Sequence, residues 1–360
     1  MIDYLRHIGK TNFFIDSFVI LFLSHIYYKI TYVEWLESDF NLIFQIRENN
    51  LTSTIFSIES PTYTLLGLIL KIDNIDNYKL LIYFITLFGF LIIIINTHFL
   101  GGYSTLFLFG GWLVTCSWYL GYVDIVSVVL ITIISRHVIE NNVQIVKNIL
   151  YFTLLTINHS ALAFAYIIIL GILANRKSQI KFIWSSISAL VIGNIILRIY
   201  LNYIGFSGRG RLRFVFNDNI IENATTFLGN NILIVLWSGF LGVSFSFLLL
   251  PNVLQWLKVQ KIIIATFVAL FFTSISLDTS RVFSLLIVPV LLTVLKSLQE
   301  EPELKSRQSL IYTISILLFF VVGTYHFLGE VWIYSPMVNS ESFYDLITRF
   351  VNSLMSDIWK

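Results

Sequence analysis

Glu37-Ser38-Asp39 lies just past the first long apolar run, early in a polar, mixed-charge stretch from Val33 to Tyr78. The same stretch carries Glu34, Arg47, Glu48, Glu59, Asp73 and Asp76. A connection this long needs a reason, because most connections between packed elements are far shorter. Carboxylates held at a membrane edge beside a cavity can take a proton from a hydroxyl or hold a hard cation. Asp39 is the candidate base and Glu37 the second choice. The pair offers oxygen ligands that suit Mg²⁺ or Mn²⁺, and two carboxylates alone leave metal dependence open. The competing reading is ordinary surface charge beside Lys29 or Arg47.

A second group is cationic. Gly208-Arg209-Gly210-Arg211-Leu212-Arg213 places three guanidiniums between small residues. Such a cluster suits a phosphate or pyrophosphate through paired N–H···O bonds. A solvated loop, or arginines reaching to lipid headgroups, accounts for it as well. Arg281 begins an apolar helix, where a buried-end arginine usually has an anionic partner. Asp278 before it has a sufficient explanation as a helix cap. Asp124 is either a cap of the helix it opens or part of the same site. His159 sits in an apolar run beside Asn158 and Ser160, as a satisfied interior histidine or as a site residue. His326 and Glu330, four residues apart, form a weaker interfacial pair. Asp16, inside the first apolar run, reads as lying near the cytoplasmic interface.

The elements that must position these residues are membrane helices. Of 360 residues, 57% are hydrophobic and 12% charged. That is about half the charge of a soluble domain, and mean hydropathy is +0.81. Long apolar runs with so few charges read as a polytopic membrane protein, all-α in class. A net charge of +2 argues against a nucleic-acid partner. The single cysteine, Cys116, excludes an internal disulfide. The run Phe13–Ile30 lacks a small-residue cleavage site and reads as a retained first helix.

Arg6 and Lys10 put the N-terminus in the cytoplasm. From there the pattern predicts about ten or eleven membrane segments in one transmembrane domain, 1–360. A long outer loop, 33–78, carries short surface helices at Phe40–Arg47 and Ser60–Ile72. Further spans are expected near 80–99, 104–120, 125–135, 182–203, 231–250, 262–276, 282–295 and 310–328. The run 148–173 gives consistent polarity only if it breaks at Asn158-His159 and turns back, as two short helices meeting at His159. A tail, 329–360, holds an amphipathic stretch at Phe343–Met355. In this topology Glu37, Asp39, Asp124, His159, Arg209, Arg211, Arg213, Asp278 and Arg281 all gather on the outer side.

Glu37-Ser38-Asp39 as an E-x-D version of an acidic first-loop motif, Gly121-Tyr122-Val123-Asp124-Ile125, the break at His159 and Asp278-Thr279-Ser280-Arg281 before Pro289 resemble the GT-C superfamily of membrane glycosyltransferases. The resemblance spans most of the chain as architecture, on short motifs, and the chain lacks a large soluble C-terminal domain. It implies sugar transfer from a polyprenyl-phosphate-linked donor to a glycan or lipid acceptor. Asp39 or Glu37 would then act as base, and Arg281 with Arg209, Arg211 and Arg213 would bind phosphate. Asp124 and His159 would orient the acceptor or the base. The expected place is a bacterial inner (plasma) membrane, with the site facing the periplasm. Asn158-His159-Ser160-Ala161-Leu162 and Ser280-Arg281-Val282-Phe283 are also similar to exopolysaccharide and O-antigen polymerases, which join lipid-linked sugars using arginines and a histidine. A transporter or flippase of lipid-linked sugars is the non-catalytic alternative.

Overall fold

The computed structural model describes residues 10–27, 33–48, 58, 60–118, 122–206, 218–249, 256–276, 279–301, 304, 307–321, 324–327 and 331–334. They form α1 (Lys10–Tyr27), α2 (Val33–Arg47), α3 (Thr62–Ile69), α4 (Ile75–Thr97), α5 (Ser104–Phe107), α6 (Gly111–Trp118), α7 (Asp124–Ile139), α8 (Ile145–Leu173), α9 (Arg176–Tyr203), α10 (Asp218–Phe240), α11 (Ser244–Leu249), α12 (Trp256–Thr273), α13 (Thr279–Leu286), α14 (Val288–Glu300) and α15 (Gln308–Val321). Short 3-10 turns at His98–Tyr103 and Leu241–Val243 join α4 to α5 and α10 to α11. One antiparallel hairpin, β1 (Thr324–Phe327) with β2 (Val331–Tyr334), follows α15.

Among the described residues, five helical segments are long and apolar enough, by length and composition, to cross a membrane: Ile75–Phe107, Ile145–Leu173, Arg176–Tyr203, Asn231–Leu249 and Trp256–Thr273. A sixth is added if α13 and α14, bent by 45° at Ile287, count as one span. The sequence pattern predicts ten or eleven; within the described residues several of those apolar runs are short or broken. The run 104–120 divides at Gly110, where Trp112 Nε1 turns back to donate to Phe107 O at 2.8 Å. Pro289 near the start of α14 has no N–H to continue the α13 ladder, which places the bend. The expected last span, 310–328, stops at Val321 and gives way to the hairpin, in which His326 pairs with Trp332. Glycines at 323 and 329 bracket the first strand, and Thr324-Tyr325-His326-Phe327 suits extended backbone better than helix. Glu330 and the stretch 343–355 lie outside the described residues.

The surface is inverted relative to a water-soluble helix bundle. On α9 the exposed positions include Ile180, Trp184, Ile187, Val191, Ile195 and Ile199, which recur every three or four residues along one face. The buried positions of the same helix include Ser178, Ser185, Ser186, Ala189 and Gly193. Small and polar residues inward with large apolar ones outward is how helices pack within lipid. On α4, Leu80, Phe84, Phe88 and Leu91 also face out. These helices are compatible with a membrane protein.

The α8 helix is not straight. At His159 the backbone leaves helical geometry, with φ −157° and ψ 87°. Asn158, in the first arm, bonds Val123 O and Ser127 Oγ at the start of α7. Asn175, just beyond the second arm, bonds Asn141 Oδ1 past the end of α7. Asn158 thus lies beside the start of α7 and Asn175 beside its far end. Contacts along α9 agree. Asn148 bonds Ser185 and Ser186, and Gln179 bonds Gly171 O, so the first-arm start and second-arm end share one level. Ser160 meets Asn194 at the other end.

The basic residues collect at the end opposite Asn158. Lys261 donates to Ala174 O at 2.8 Å, and Lys258 and Lys296 both approach Glu300. Arg136 lies one turn from Glu140 at the same end of α7 and 5.8 Å from the Phe99 ring.

Gly193 is where α9 crosses the first arm of α8 most tightly. A Cβ there would meet Thr156 Cβ at 2.6 Å and Thr153 O at 3.1 Å. Gly193→Val is expected to cost about 1–3 kcal/mol by overpacking, read as a lowered thermal midpoint of the detergent-purified chain. Val191→Ala, on the exposed face, is expected to leave that midpoint within about 0.5 kcal/mol.

Candidate functional site

Asp124 opens α7 and is fully buried. Arg281, in the first turn of α13, meets it with two parallel bonds: Nε to Oδ2 at 2.6 Å and Nη2 to Oδ1 at 2.9 Å. The guanidinium lies 3.9 Å from the Tyr122 ring centre. A forked pair under an aromatic face fixes the arginine in position and plane. Asp124 therefore serves as the anionic partner that a helix-start arginine calls for, as well as lying in the first turn of α7. Asp278, the expected cap of α13, lies outside the described residues.

The break in α8 is tied to the same place. Asn158 is fully buried and uses both ends of its amide. Its Nδ2 donates to Val123 O at 2.9 Å and Ser127 Oγ at 2.8 Å, and its Oδ1 accepts from Thr62 Oγ1 at 2.6 Å. One amide thus joins α3, the α8 break and the residue preceding Asp124. His159 Nδ1 accepts from Leu162 N at 3.4 Å, capping the second arm. His159 thus takes up one backbone N–H that a break without proline or glycine exposes, while Asn158 ties the break to α7 and α3. Tyr166, on that arm, donates to Leu285 O at 2.7 Å and so fastens α13.

The helices of the acidic stretch close over this junction. Helix α2 begins at Val33, seven residues before the expected start, so Glu37 and Asp39 are helical rather than in irregular loop. Residues two apart on a helix do not share a face. Accordingly Glu37 is exposed while Asp39 is half-buried. That divergence does not fit a metal ion shared by the two carboxylates, and among the described residues no group of three or more His, Cys, Asp or Glu side chains gathers as a metal site. Asp39 lies within electrostatic range of Tyr63 and Tyr78, beside Phe40, whose ring is 5.8 Å from that of Tyr78. Tyr63, next to the Thr62 latch, also senses Asp124. Burial, then the charges of Asp124, Tyr78, Asp39 and Cys116, hold its hydroxyl well above the usual tyrosine range, so it stays a protonated donor. The hydroxyls of Tyr63 and Tyr78 are buried with no hydrogen-bond partner among the described residues.

The structure thus brings Asp124 and Arg281 into contact and sets Asp39 within electrostatic range of Tyr63 and Tyr78, with His159 adjoining Asn158. Glu37 stands apart on the surface. Arg209, Arg211 and Arg213 lie outside the described residues. Sequence reasoning did not single out Thr62, Tyr63 or Tyr78, and treated Asn158 only as a helix breaker. The available signal was an amide in an apolar run, which must find several partners when buried. No family model, no curated protein and no solved structure matches this chain.

A buried ion pair that loses one partner strands the other charge, at a cost of about 3–5 kcal/mol. Asp124→Leu and Arg281→Met are each expected to destabilise by that order. The double variant is expected to recover most of the loss, which chemical denaturation of the four proteins would measure as a cycle. Asn158→Leu leaves Val123 O and Thr62 Oγ1 unpaired and is expected to cost about 2–3 kcal/mol.

Proposed function

We propose that the chain is a membrane glycosyltransferase that moves a sugar from a polyprenyl-phosphate-linked donor to a glycan or lipid acceptor on the outer face of a bacterial inner membrane. The observation that carries this reading is the Asp124–Arg281 pair, with Tyr63 within electrostatic range of both Asp124 and Asp39, at one end of an apolar bundle whose opposite end carries many of the basic residues. Cytoplasmic ends of membrane helices are enriched in Lys and Arg, so the Asp124 end faces outward in this reading. The α8 hairpin then enters and leaves from the cytoplasmic side, with its tip at the site. Backbone breaks at membrane depth are tolerated where they border a cavity.

In this scheme Asp39 takes the proton of the acceptor hydroxyl as the new glycosidic bond forms. The bond from sugar to donor phosphate breaks, and the phosphate leaves with the bonding pair. Arg281 has five N–H donors, of which Asp124 engages two. In this scheme the arginine also donates to the departing phosphate. Because Asp124 neutralises it, Arg281 acts as an oriented donor set rather than as net charge. Net positive charge would come from Arg209, Arg211 and Arg213. Tyr63 contributes a neutral hydroxyl donor, and His159 orients the acceptor.

The His159 tip also supports the polymerase version, in which polyprenyl-diphosphate-linked oligosaccharides are joined on the same face. The turned-back helix is shared with transporters of lipid-linked sugars as well.

Purified chain in vesicles with polyprenyl-linked sugar donors should form glycosidic product. Asp39→Asn is expected to lower transfer by about 10²–10⁴-fold. Arg281→Lys, which keeps the charge but loses the fork, is expected to lower it about 10²-fold. Glu37→Gln is expected to stay near wild type. Full transfer by Asp39→Asn and Arg281→Lys at normal expression would overturn the assignment, whereas movement of donor across the bilayer without product would favour the transporter.

A further inference from the structure

At the basic end, Asp16 on α1 is almost fully buried. Ser104 Oγ donates to its Oδ2 at 2.7 Å and Thr105 Oγ1 donates to its Oδ1. No Lys or Arg ion pair to Asp16 is found among the described residues. An unpaired carboxylate inside a membrane protein is costly and calls for a compensating charge. Three sources are available: a proton, the imidazolium of His98, which lies within electrostatic range, or a bound cation.

The surrounding backbone favours the third. The helical run from α4 to α5 is unwound beside Asp16, with Gly101 at φ 55° and ψ −131°. The positive φ needs glycine there. Tyr312, from α15, hydrogen-bonds Gly102 O and the Thr105 side chain. The amide of Gln299 lies against Gly101 and that of Gln308 against Gly102. The node thus gathers two carboxylate oxygens, two aliphatic hydroxyls, a phenol and the carbonyls of an unwound turn. The groups facing Asp16 are His98, Ser104, Thr105 and Tyr312, while Lys296 is occupied by Gln299 and Glu300.

We propose that Asp16, Ser104 and Thr105, beside the break in helical geometry at Gly101, form a monovalent-cation site selective for Na⁺, separate from the Asp124–Arg281 junction. Oxygen ligands suit a hard cation. A single carboxylate balances a single positive charge, whereas a divalent ion would leave an uncompensated one. Hydroxyl protons rotate freely, so Ser104 and Thr105 can turn their lone pairs to the ion when it enters. Unwound membrane helices whose carbonyls coordinate Na⁺ are built from the same parts.

The test is the thermal midpoint of the full-length, detergent-purified chain in NaCl, KCl and choline chloride at equal ionic strength. A saturable rise of about 3 °C or more, specific to Na⁺, is expected for the wild type, since a ligand that binds only the folded state stabilises it. The rise is expected to vanish in Asp16→Asn and to need several-fold more Na⁺ in Thr105→Val. It should persist in His98→Gln. Coincident midpoints in the three salts would overturn the site, as would a Na⁺ response that survives in Asp16→Asn. A Na⁺ response that is absent from the wild type and appears only in His98→Gln would mean that the imidazole supplies the charge, and would likewise overturn the site. Should Asp16→Asn fail to fold, Thr105→Val and Ser104→Ala carry the same comparison.

Discussion

The forked pair of Asp124 with Arg281 is the contact on which the upper half of the molecule depends. It joins the start of α7 to the start of α13 across 157 positions of sequence. Neither charge would be tolerable alone in its surroundings, because desolvation of one ion is offset only by the other in good geometry. Everything near the pair is arranged around that requirement. Tyr122 lies over the guanidinium. Asn158 pins the carbonyl just before Asp124, and Tyr166 holds the backbone of α13 four residues past Arg281.

The break in α8 is tied to the same junction. Its turn uses no proline or glycine, so side chains must satisfy the backbone groups a break exposes. His159 does this for the Leu162 N–H, and Asn158 spends its hydrogen-bonding capacity on the start of α7 and on α3. The acidic segment is thereby clamped to the bundle through Thr62, and α2 is held over α3 by Ile43, which lies against Gly67. Half-burial of Asp39 is the outcome of that chain of contacts rather than of any property of the E-x-D triplet.

Legibility in the sequence tracked the physics of each signal. Few charges and long apolar runs made a mostly helical, strongly apolar architecture readable, and apolar helices with outward-facing large side chains, compatible with a membrane protein, are what the fold contains. The number of spans was not readable from hydropathy. A helix buried on all sides by protein, such as α7, is as apolar as one facing lipid, and only packing separates them. The 33–47 helix was placed too late because its first turns are polar, and helix propensity there outweighs the weak apolar pattern. Asp124 and Arg281 were each visible as polar groups at helix ends. Their partnership was not, since nothing local in sequence records a contact so distant along the chain. The tyrosines at 63 and 78 left no signal, because a buried aromatic looks like core until its hydroxyl is found without a partner.

The two polar nodes differ in a way that bears on what each can do. At the Asp124 end, an acid meets a base from the chain itself, so the charges cancel without help and the junction is rigid. At the Asp16 end, an acid meets hydroxyls and unwound backbone, so its compensating charge must come from a proton, an imidazole or an ion. The first arrangement suits a site that has to hold a donor geometry while a substrate changes. The second suits a group whose occupancy changes with its surroundings. Helix α7 and the α8 arms run between the two ends, and both arms meet the basic end through Asn148 and Asn175. A shift in the 98–103 turn would reach the Asp124 end only through packed helices of this kind, because the two nodes share no hydrogen bond. The design therefore separates a fixed charge pair from a fillable one, at opposite ends of one apolar bundle.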